Sequence, residues 1–471
     1  MTESLAPARP TTPPDTSRWP GLRPLDDDLR TRVAAGVARK LFLAAVSRLE
    51  VTVHLDGRTH GLGGPAMTVH DAEEFFGRIG RHQLIGFGEA YLTGAWDAED
   101  LGGFLTVLAA HMTDLVPPRL QKLRRLVVKR PPSWQRSSKE NAQSNIAHHY
   151  DLSNDLFRLF LDPTLSYSAA LWPTGVVGHD DDLSRRSHHP LPQRLVAASP
   201  GTVDPATFAE AQGHKIERLL DAAGVGPGTR LLEIGTGWGE LALRAARRGA
   251  TVHSVTLSRE QLVLARERVA EAGFADRVTI DLCDYRDVTG TYDAVVSVEM
   301  IEAVGADYWP VYFSTIDRVL APGGMVAIQA ITMRHERMLA TRNTYTWIHK
   351  YIFPGGLLPS VEAVDEVTRR HTTLRLTERF QFGQHYAETL RLWDEAFLDH
   401  RDEVLALGFD DVFCRMWHFY LEYSRAGFAS GYIDDYHLVL QRPHEHALSD
   451  RAQDGQQDGQ QDGQLEGEDV A

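Results

Sequence analysis

The sequence predicts an α/β chain. It has a doubly wound, Rossmann-like parallel sheet, a smaller α+β region before it, and disordered ends. Three observations predict this. After Arg230, short apolar runs alternate with amphipathic helical segments separated by turn residues. Before it, residues 26–115 mix one long apolar-periodic segment with a short alternating one. The N-terminal end is rich in Pro and Thr, and the C-terminal end repeats a polar unit with nothing apolar to bury.

Residues 1–25 are rich in Pro and Thr and are expected to be disordered. In residues 26–115, "LFLAAVSRLEVTVHLDG" reads as a helix followed by a strand. "GFGEAYLTGAWDAEDLGGFLTVLAAHM" reads as a turn-rich stretch leading into an amphipathic helix. With no catalytic signature, this region is assigned to packing or lipid recognition. Residues 116–144 form a linker. Its core, Arg119 to Lys139, holds eight Lys and Arg residues and no acid, with Leu120, Leu123, Leu126, Val127 and Trp134 between them. Such a segment suits anionic lipid headgroups; it equally suits a solvated helix face.

Residues 145–442 form the main domain. "TRLLEIGTGWGELALRAARRGATVHSVTLSREQLVLARERVAEAGFADRVTIDLCDYRDV" reads strand, Gly turn, helix, strand, helix, strand, and "YDAVVSVEMIEAV" and "GGMVAIQAIT" add strands. Residues 443–471 repeat "QDGQ" and form an acidic tail, expected to be disordered. The net charge of −15 argues against a nucleic-acid binder. Cys283 and Cys414 are the only cysteines, which excludes a disulfide framework and fits a reducing cytosol. No apolar run approaches the ~18 residues of a membrane span, and no secretion signal is expected.

The Gly turn carries the first chemical signal. "EIGTGWGE" places Gly235, Thr236, Gly237 and Gly239 between a strand and a helix, where a ligand can approach the backbone. The spacing is G-x-G-x-G, and an acid, Glu233, precedes it. The next strand ends in Thr256, Ser258 and Gln261 rather than the ribose-binding acid of NAD enzymes. Asp284 and Tyr285 follow the third strand, near where an adenine would lie. The set is similar to class I methyltransferases that bind S-adenosylmethionine; the alternative is a Gly turn without a ligand.

A second signal is a pair of acids, Glu299 and Glu302, inside the apolar run "VSVEMIEAVGADYW". An ionised carboxylate there needs a partner or a task.

Further motifs narrow the likeness. "HHYDLSNDLFRLFLDPTLSYSAALW", "EIGTGWG", "VTLSREQ", "DYRD", "VEMIEAVGADYWPVYF", "WIHKYIFPGGLLPS" and "GQHYAETLRLW" occur in order and resemble the cyclopropane-fatty-acyl-phospholipid synthase family. That family includes mycolic acid cyclopropane synthases and actinobacterial members that add a methylene branch. The resemblance implies transfer of a methyl group from S-adenosylmethionine to a cis double bond in an acyl chain of membrane phospholipid. It implies a cytoplasmic enzyme on the inner face of the membrane, able to form oligomers. It gives Tyr167 and Ser168 to the cofactor. It matches Glu302 to the family's active-site glutamate, which helps hold a bicarbonate ion that takes the proton, and Tyr386 to its tyrosine partner. Glu299 has no such match; a polar contact at the strand end is expected of it. The resulting carbocation needs aromatic faces or anions, and Tyr345, Trp347, Tyr351 and Phe353 lie in one stretch, where they also read as ordinary core.

Two positions depart from the synthase pattern. Ala169 stands where many members have Cys, and Gln329 stands where they have His. Both belong to the bicarbonate shell in that pattern, so the resemblance favours a methylene product over a cyclopropane, with a reductase partner to saturate it. The rivals are a cyclopropane synthase proper and a lipid-binding scaffold that has lost turnover. The stretch from Pro173 to Pro205 is longer than the family's connection; its His188, His189 and Asp180 to Asp182 show no metal-ligand spacing, and no metal is expected.

Overall fold

The computed structural model describes residues 9–10, 13–112, 153–172 and 205–442. The basic linker, nearly all of the Pro173–Pro205 stretch and the acidic tail lie outside the described residues.

Part of the N-terminal stretch expected to be disordered is held in place: Pro20–Leu22 form a 3-10 turn, Leu22 is buried, and the Trp19 indole donates to Asp410 at 2.8 Å, because these apolar side chains find a core to pack on. Then comes α1 (Leu29–Val46), capped by the Asp28 carboxylate, which accepts from the Thr31 amide. A small sheet follows, of β1 (Thr52–Leu55), β2 (Arg58–His60), β3 (Ala66–Val69) and β4 (Trp96–Ala98), in the order β2-β1-β3-β4. Helices α2 (Ala72–His82), α3 (Leu84–Leu92) and α4 (Leu101–Ala110) pack around it. The stretch expected to be turn-rich is α3. Its glycines serve close packing instead. A Cβ on Gly86 would lie 2.0 Å from the Arg78 carbonyl oxygen, and one on Gly88 would lie 2.5 Å from the Trp347 ring.

Two further helices, α5 (Asn154–Phe160) and α6 (Pro205–Ala222), lead into the large sheet. Its first strands and helices alternate as the sequence predicts: β5 (Arg230–Ile234), α7 (Glu240–Arg247), β6 (Thr251–Thr256), α8 (Arg259–Glu271), β7 (Val278–Leu282) and β8 (Tyr292–Val298). Short α9 (Ile301–Val304) and α10 (Trp309–Val319) connect to β9 (Leu320–Met333). Then come α11 (His335–Thr341), α12 (Trp347–Tyr351), α13 (Val361–His371), β10 (Arg375–Gln381), α14 (Gly383–Asp399), α15 (Arg401–Ala406), α16 (Asp411–Ala429) and β11 (Ile433–Gln441).

The strand order is β10-β11-β9-β8-β5-β6-β7. Strands β5 to β9 pair in parallel, while β11 pairs antiparallel with both β9 and β10. Period-two alternation puts Leu231, Ala294 and Val296 in a core under α6, α7 and α8, and Leu232, Ile234 and Val295 in another under α10 and α13. A third core has no break at the N-terminal region: it runs from Leu22 through Trp96 and Phe104 to Trp417 and Phe428.

The order reverses at β5. From there the chain goes outward through β6 and β7, then returns to β8 on the other flank. Ligands of doubly wound sheets bind at such a switch point, beyond the carboxyl ends of the strands. The Gly turn after β5 and the acid pair after β8 both lie there.

Candidate active site

Gly235, Gly237 and Gly239 have φ of +97°, +50° and +87°, which glycine adopts without a Cβ penalty. A Cβ on Gly235 would meet the Met300 side chain at 2.6 Å, so this turn touches the acid-bearing turn directly. A Cβ on Gly237 would meet nothing within 4 Å. That side of the turn is an open cradle, as a ligand approaching the backbone requires.

Around the turn, hydroxyls are chained. Ser254 Oγ donates to Glu233 at 2.5 Å and lies 2.7 Å from Thr236 Oγ1. Burial pushes the Glu233 carboxyl up to about 8, against the Ser254 bond that opposes it. At the end of β6 the Ser258 amide donates to Thr256 Oγ1 at 3.1 Å, and Ser258 Oγ accepts from the Gln261 amide at 3.2 Å, capping α8. Asp284 accepts two bonds from the Arg286 guanidinium, at 2.8 and 2.6 Å. The Tyr285 ring lies 5.3 Å edge-on from Tyr312. Glu233, Thr256, Ser258, Gln261 and Asp284 are all buried, along the carboxyl ends of β5, β6 and β7. This placement fits S-adenosylmethionine. Tyr167 and Ser168 come from the segment after α5. The Tyr167 hydroxyl is 2.8 Å from that of Tyr420, and Ser168 Oγ accepts from Lys215.

The second half of the site is built on Glu299. This residue is not glycine, yet its φ is +50°, a conformation held only where the surroundings impose it. Three donors from three elements converge on its carboxylate. The Ala169 amide donates to Oε1 at 3.1 Å, the Gln329 side-chain amide to Oε1 at 2.8 Å, and the Tyr386 hydroxyl to Oε2 at 2.8 Å. Gln329 is placed by register, since β8 pairs Val298 with Gln329, and its amide also donates to Asp435 at 2.8 Å.

Glu302 has different partners from those expected. Its Oε1 accepts from the Ile331 amide at 2.6 Å, and its buried Oε2 has no hydrogen-bond partner. Tyr386, expected beside Glu302, donates to Glu299 instead. Burial, followed by the Glu299 charge, pushes Glu302 up to about 8. Burial raises Glu299 as well, but its donors and Lys215 hold it to about 6. Of the pair, Glu299 is therefore the acid that ionises more readily and Glu302 the one that holds its proton more tightly. Environments that split two carboxyls in this way set up distinct acid and base roles.

The aromatic stretch divides. Phe353 packs at 5.9 Å against Tyr420, next to Tyr167. Trp347 is buried against Phe419, and the Tyr351 hydroxyl donates to Glu89 of α3. Those two rings tie α12 to the N-terminal region. Phe428 stacks at 4.4 Å on Tyr386, whose hydroxyl donates to Glu299. The sequence reading gave Glu299 only a strand-end contact; its signal there was an acid in an apolar run. Lys215 and Asp435 had no signal at all. No cluster of metal-ligating side chains occurs among the described residues.

Comparison with known proteins agrees with this geometry. A family model described as mycolic acid cyclopropane synthetase matches residues 137–438. The tuberculostearic acid methyltransferase UfaA1 of Mycobacterium tuberculosis is 50% identical over 91% of this chain and 96% of its own. The cyclopropane-fatty-acyl-phospholipid synthase of Escherichia coli K12 is 32% identical over 80% of this chain and 87% of its own. Among solved structures, the cyclopropane synthase MmaA2 from Mycobacterium tuberculosis gives a TM-score of 0.53 at 30% identity, covering 64% of this chain and 98% of its own. The cyclopropane synthase CmaA1, complexed with S-adenosylhomocysteine, gives 0.52 at 28%, covering 66% and 99%. With a Gly cradle, a buried acid pair and this match over most of the folded chain, the protein belongs to the mycolic acid cyclopropane synthetase family of S-adenosylmethionine-dependent methyltransferases.

Proposed function

We propose that this enzyme methylates the cis double bond of an unsaturated acyl chain in membrane phospholipid, giving a methylene-branched product, with Glu299 as the base. The likeness to the tuberculostearic acid methyltransferase supports the substrate class. The observation that carries the mechanism is the three-donor grip on Glu299.

S-adenosylmethionine, held at the Gly cradle, supplies an electrophilic methyl group. A new C–C bond to one alkene carbon, formed as the methyl–sulfur bond breaks and its electron pair stays on sulfur to give S-adenosylhomocysteine, leaves a cation on the neighbouring carbon. A 1,2-hydride shift moves that cation onto the methyl-bearing carbon. Removal of a methyl proton then makes the exocyclic C=C bond; without the shift, the same loss closes a cyclopropane. Either proton ends on a carboxylate oxygen of Glu299. The negative charge, fixed in a buried site, also stabilises the cation before the proton leaves. Neutral Glu302 adds no second anion.

A bicarbonate ion does not fit this arrangement. Its expected holders, Tyr386 and Gln329, already donate to Glu299, and a second anion there would face an ionised carboxylate. No step is routed through it. A methylene product needs a hydride and a proton to become a methyl branch, so a reductase is the partner this chemistry calls for.

The test compares two variants by S-adenosylhomocysteine release with an oleoyl phospholipid. Glu299→Gln is expected to lose about 3 kcal/mol of transition-state stabilisation, roughly a hundredfold in turnover. Glu302→Gln resembles the neutral acid already present and should stay within about threefold. Cofactor affinity should hold in both. The wild-type rate should rise with pH through about 6 as Glu299 ionises. Near-normal turnover in Glu299→Gln, with rate restored to Glu302→Gln by added bicarbonate, returns the base to the ion. Chromatography of the methyl esters separates methylene from cyclopropane chains, which have equal mass.

A further inference from the structure

The mechanism leaves one buried cation without a task. Lys215, on α6, is 2% exposed. Its Nζ donates to Ser168 Oγ at 2.5 Å. One turn earlier on α6, the Gln212 side-chain amide donates to the carbonyls of Ser166 and Ser168, at 3.2 and 2.9 Å. The residue after Ser168 is Ala169, whose amide holds Glu299. So α6 grips the segment that presents one of the base's three donors, and it does so partly with a buried ammonium. Such a charge costs several kcal/mol unless opposite charge compensates it.

The surroundings supply that charge. Glu299, Asp435 and Asp162 favour the ammonium, while burial and Arg244 of α7 oppose it, leaving Lys215 near 8. Lys215 in turn favours the ionised form of Glu299. Several neighbouring groups are shifted toward their neutral forms. Burial and the neighbouring carboxyls raise Asp435 of β11 well above the usual range, and Glu302 is raised to about 8. Burial, Arg218 and Lys215 hold His437 of β11 far below its usual value, and burial raises Tyr386 of α14. Glu299 and Lys215 each favour the charged form of the other.

We propose that Lys215 is a positioning residue: its ammonium, bonded to Ser168, anchors the segment whose Ala169 amide holds Glu299 and brings a positive charge to the base. This rests on the reading of Glu299 as the base.

The test is the pH profile of turnover in Lys215→Gln, which keeps a donor for Ser168 but removes the charge. The rising limb is expected to move up by about one pH unit. Turnover would then be about fivefold lower at pH 6 and recover toward wild type at pH 8. Lys215→Arg keeps the charge and should leave the limb in place. In a Glu299→Gln background, adding Lys215→Gln should cost less than about twofold, because the residue acts only through the lost carboxylate. If Lys215→Gln does not fold, Lys215→Met supplies the limb without leaving a polar atom in the core. An unmoved limb, with equal losses in both backgrounds, overturns the proposal and makes Lys215 structural. A near-normal Glu299→Gln enzyme instead sinks the base assignment itself, so the two failures are distinct.

Discussion

Glu299 and Glu302 stand three residues apart, yet their environments hold Glu299 the more acidic of the two. The difference is hydrogen bonding: three donors reach Glu299 and one backbone amide reaches Glu302. Glu233 shows what happens with still less support. One hydroxyl donates to it, burial wins, and its carboxyl is pushed up to about 8. The folded protein keeps that proton across a range where the unfolded chain, with an ordinary carboxyl near 4.5, has released it. The unfolded state thus binds fewer protons between those values, and stability falls as pH rises from about 4.5 to 8. Glu233→Gln removes this loss. The variant should match wild type near pH 5 and exceed it by on the order of 4 kcal/mol near pH 8. Denaturant midpoints at both values check it; parallel curves would mean that Glu233 is ionised in the fold.

At the scale of the element, the Gly turn separates two substitutions that look alike in sequence. Gly235→Val combines a φ of +97° with a Cβ driven into Met300 at 2.6 Å, so it should unfold the turn rather than report on the ligand. Gly237→Ala is the cleaner probe. Its φ of +50° is left-handed helical, and its Cβ meets nothing within 4 Å. A stability loss of about 1 kcal/mol is expected. S-adenosylmethionine affinity should fall more than about tenfold, because the methyl group fills the cradle. Unchanged calorimetric affinity in this folded variant would move the cofactor elsewhere. Helix α3 carries the same lesson. "GFGEAYLTG" signals turns, but Gly86 and Gly88 are there because Arg78 and Trp347 press against the helix.

For the whole molecule, the N-terminal region shares a hydrophobic core with the helices of the main domain rather than standing apart as an appendage. Arg415 of α16 is fully buried and donates to the Tyr91 carbonyl at 2.9 and 2.7 Å and to the Asp97 carboxylate at 2.5 Å. Lys350 of α12 pairs with buried Glu89 of α3. The outer side of the same region bears on the membrane reading. Helix α1 contains no acid, and Leu29, Val33, Val37 and Leu41 are exposed at four-residue spacing beside exposed Arg30 and Lys40. An apolar stripe flanked by cations fits an anionic lipid surface. No helix among the described residues is long and apolar enough to cross a membrane. Changing Val33 and Val37 together to Glu should lower co-sedimentation with anionic vesicles at low salt by at least about tenfold, with the melting curve unchanged. Equal co-sedimentation would remove α1 from the membrane reading; a change in oligomeric state instead would assign the stripe to a second copy of the chain.

The α/β class, the strand and helix alternation after Arg230, the Gly turn and the family were legible in the sequence. Each is written locally, as period-two runs, period-3.6 helices, glycines at a fixed spacing and motifs in order. Three things were decided only by the tertiary structure. Which acid the three donors grip follows from where Ala169, Gln329 and Tyr386 arrive, and these come from a loop, a strand and a helix far apart in the chain. The contact of Lys215 with Ser168 follows from α6 crossing that loop. The division of the aromatic stretch between the site and α3 follows from packing against Glu89 and Gly88. Hydrogen bonding and burial are sums over neighbours in space, and linear spacing does not record them; a carboxylate's state in this protein is therefore a property of the fold and not of its motif.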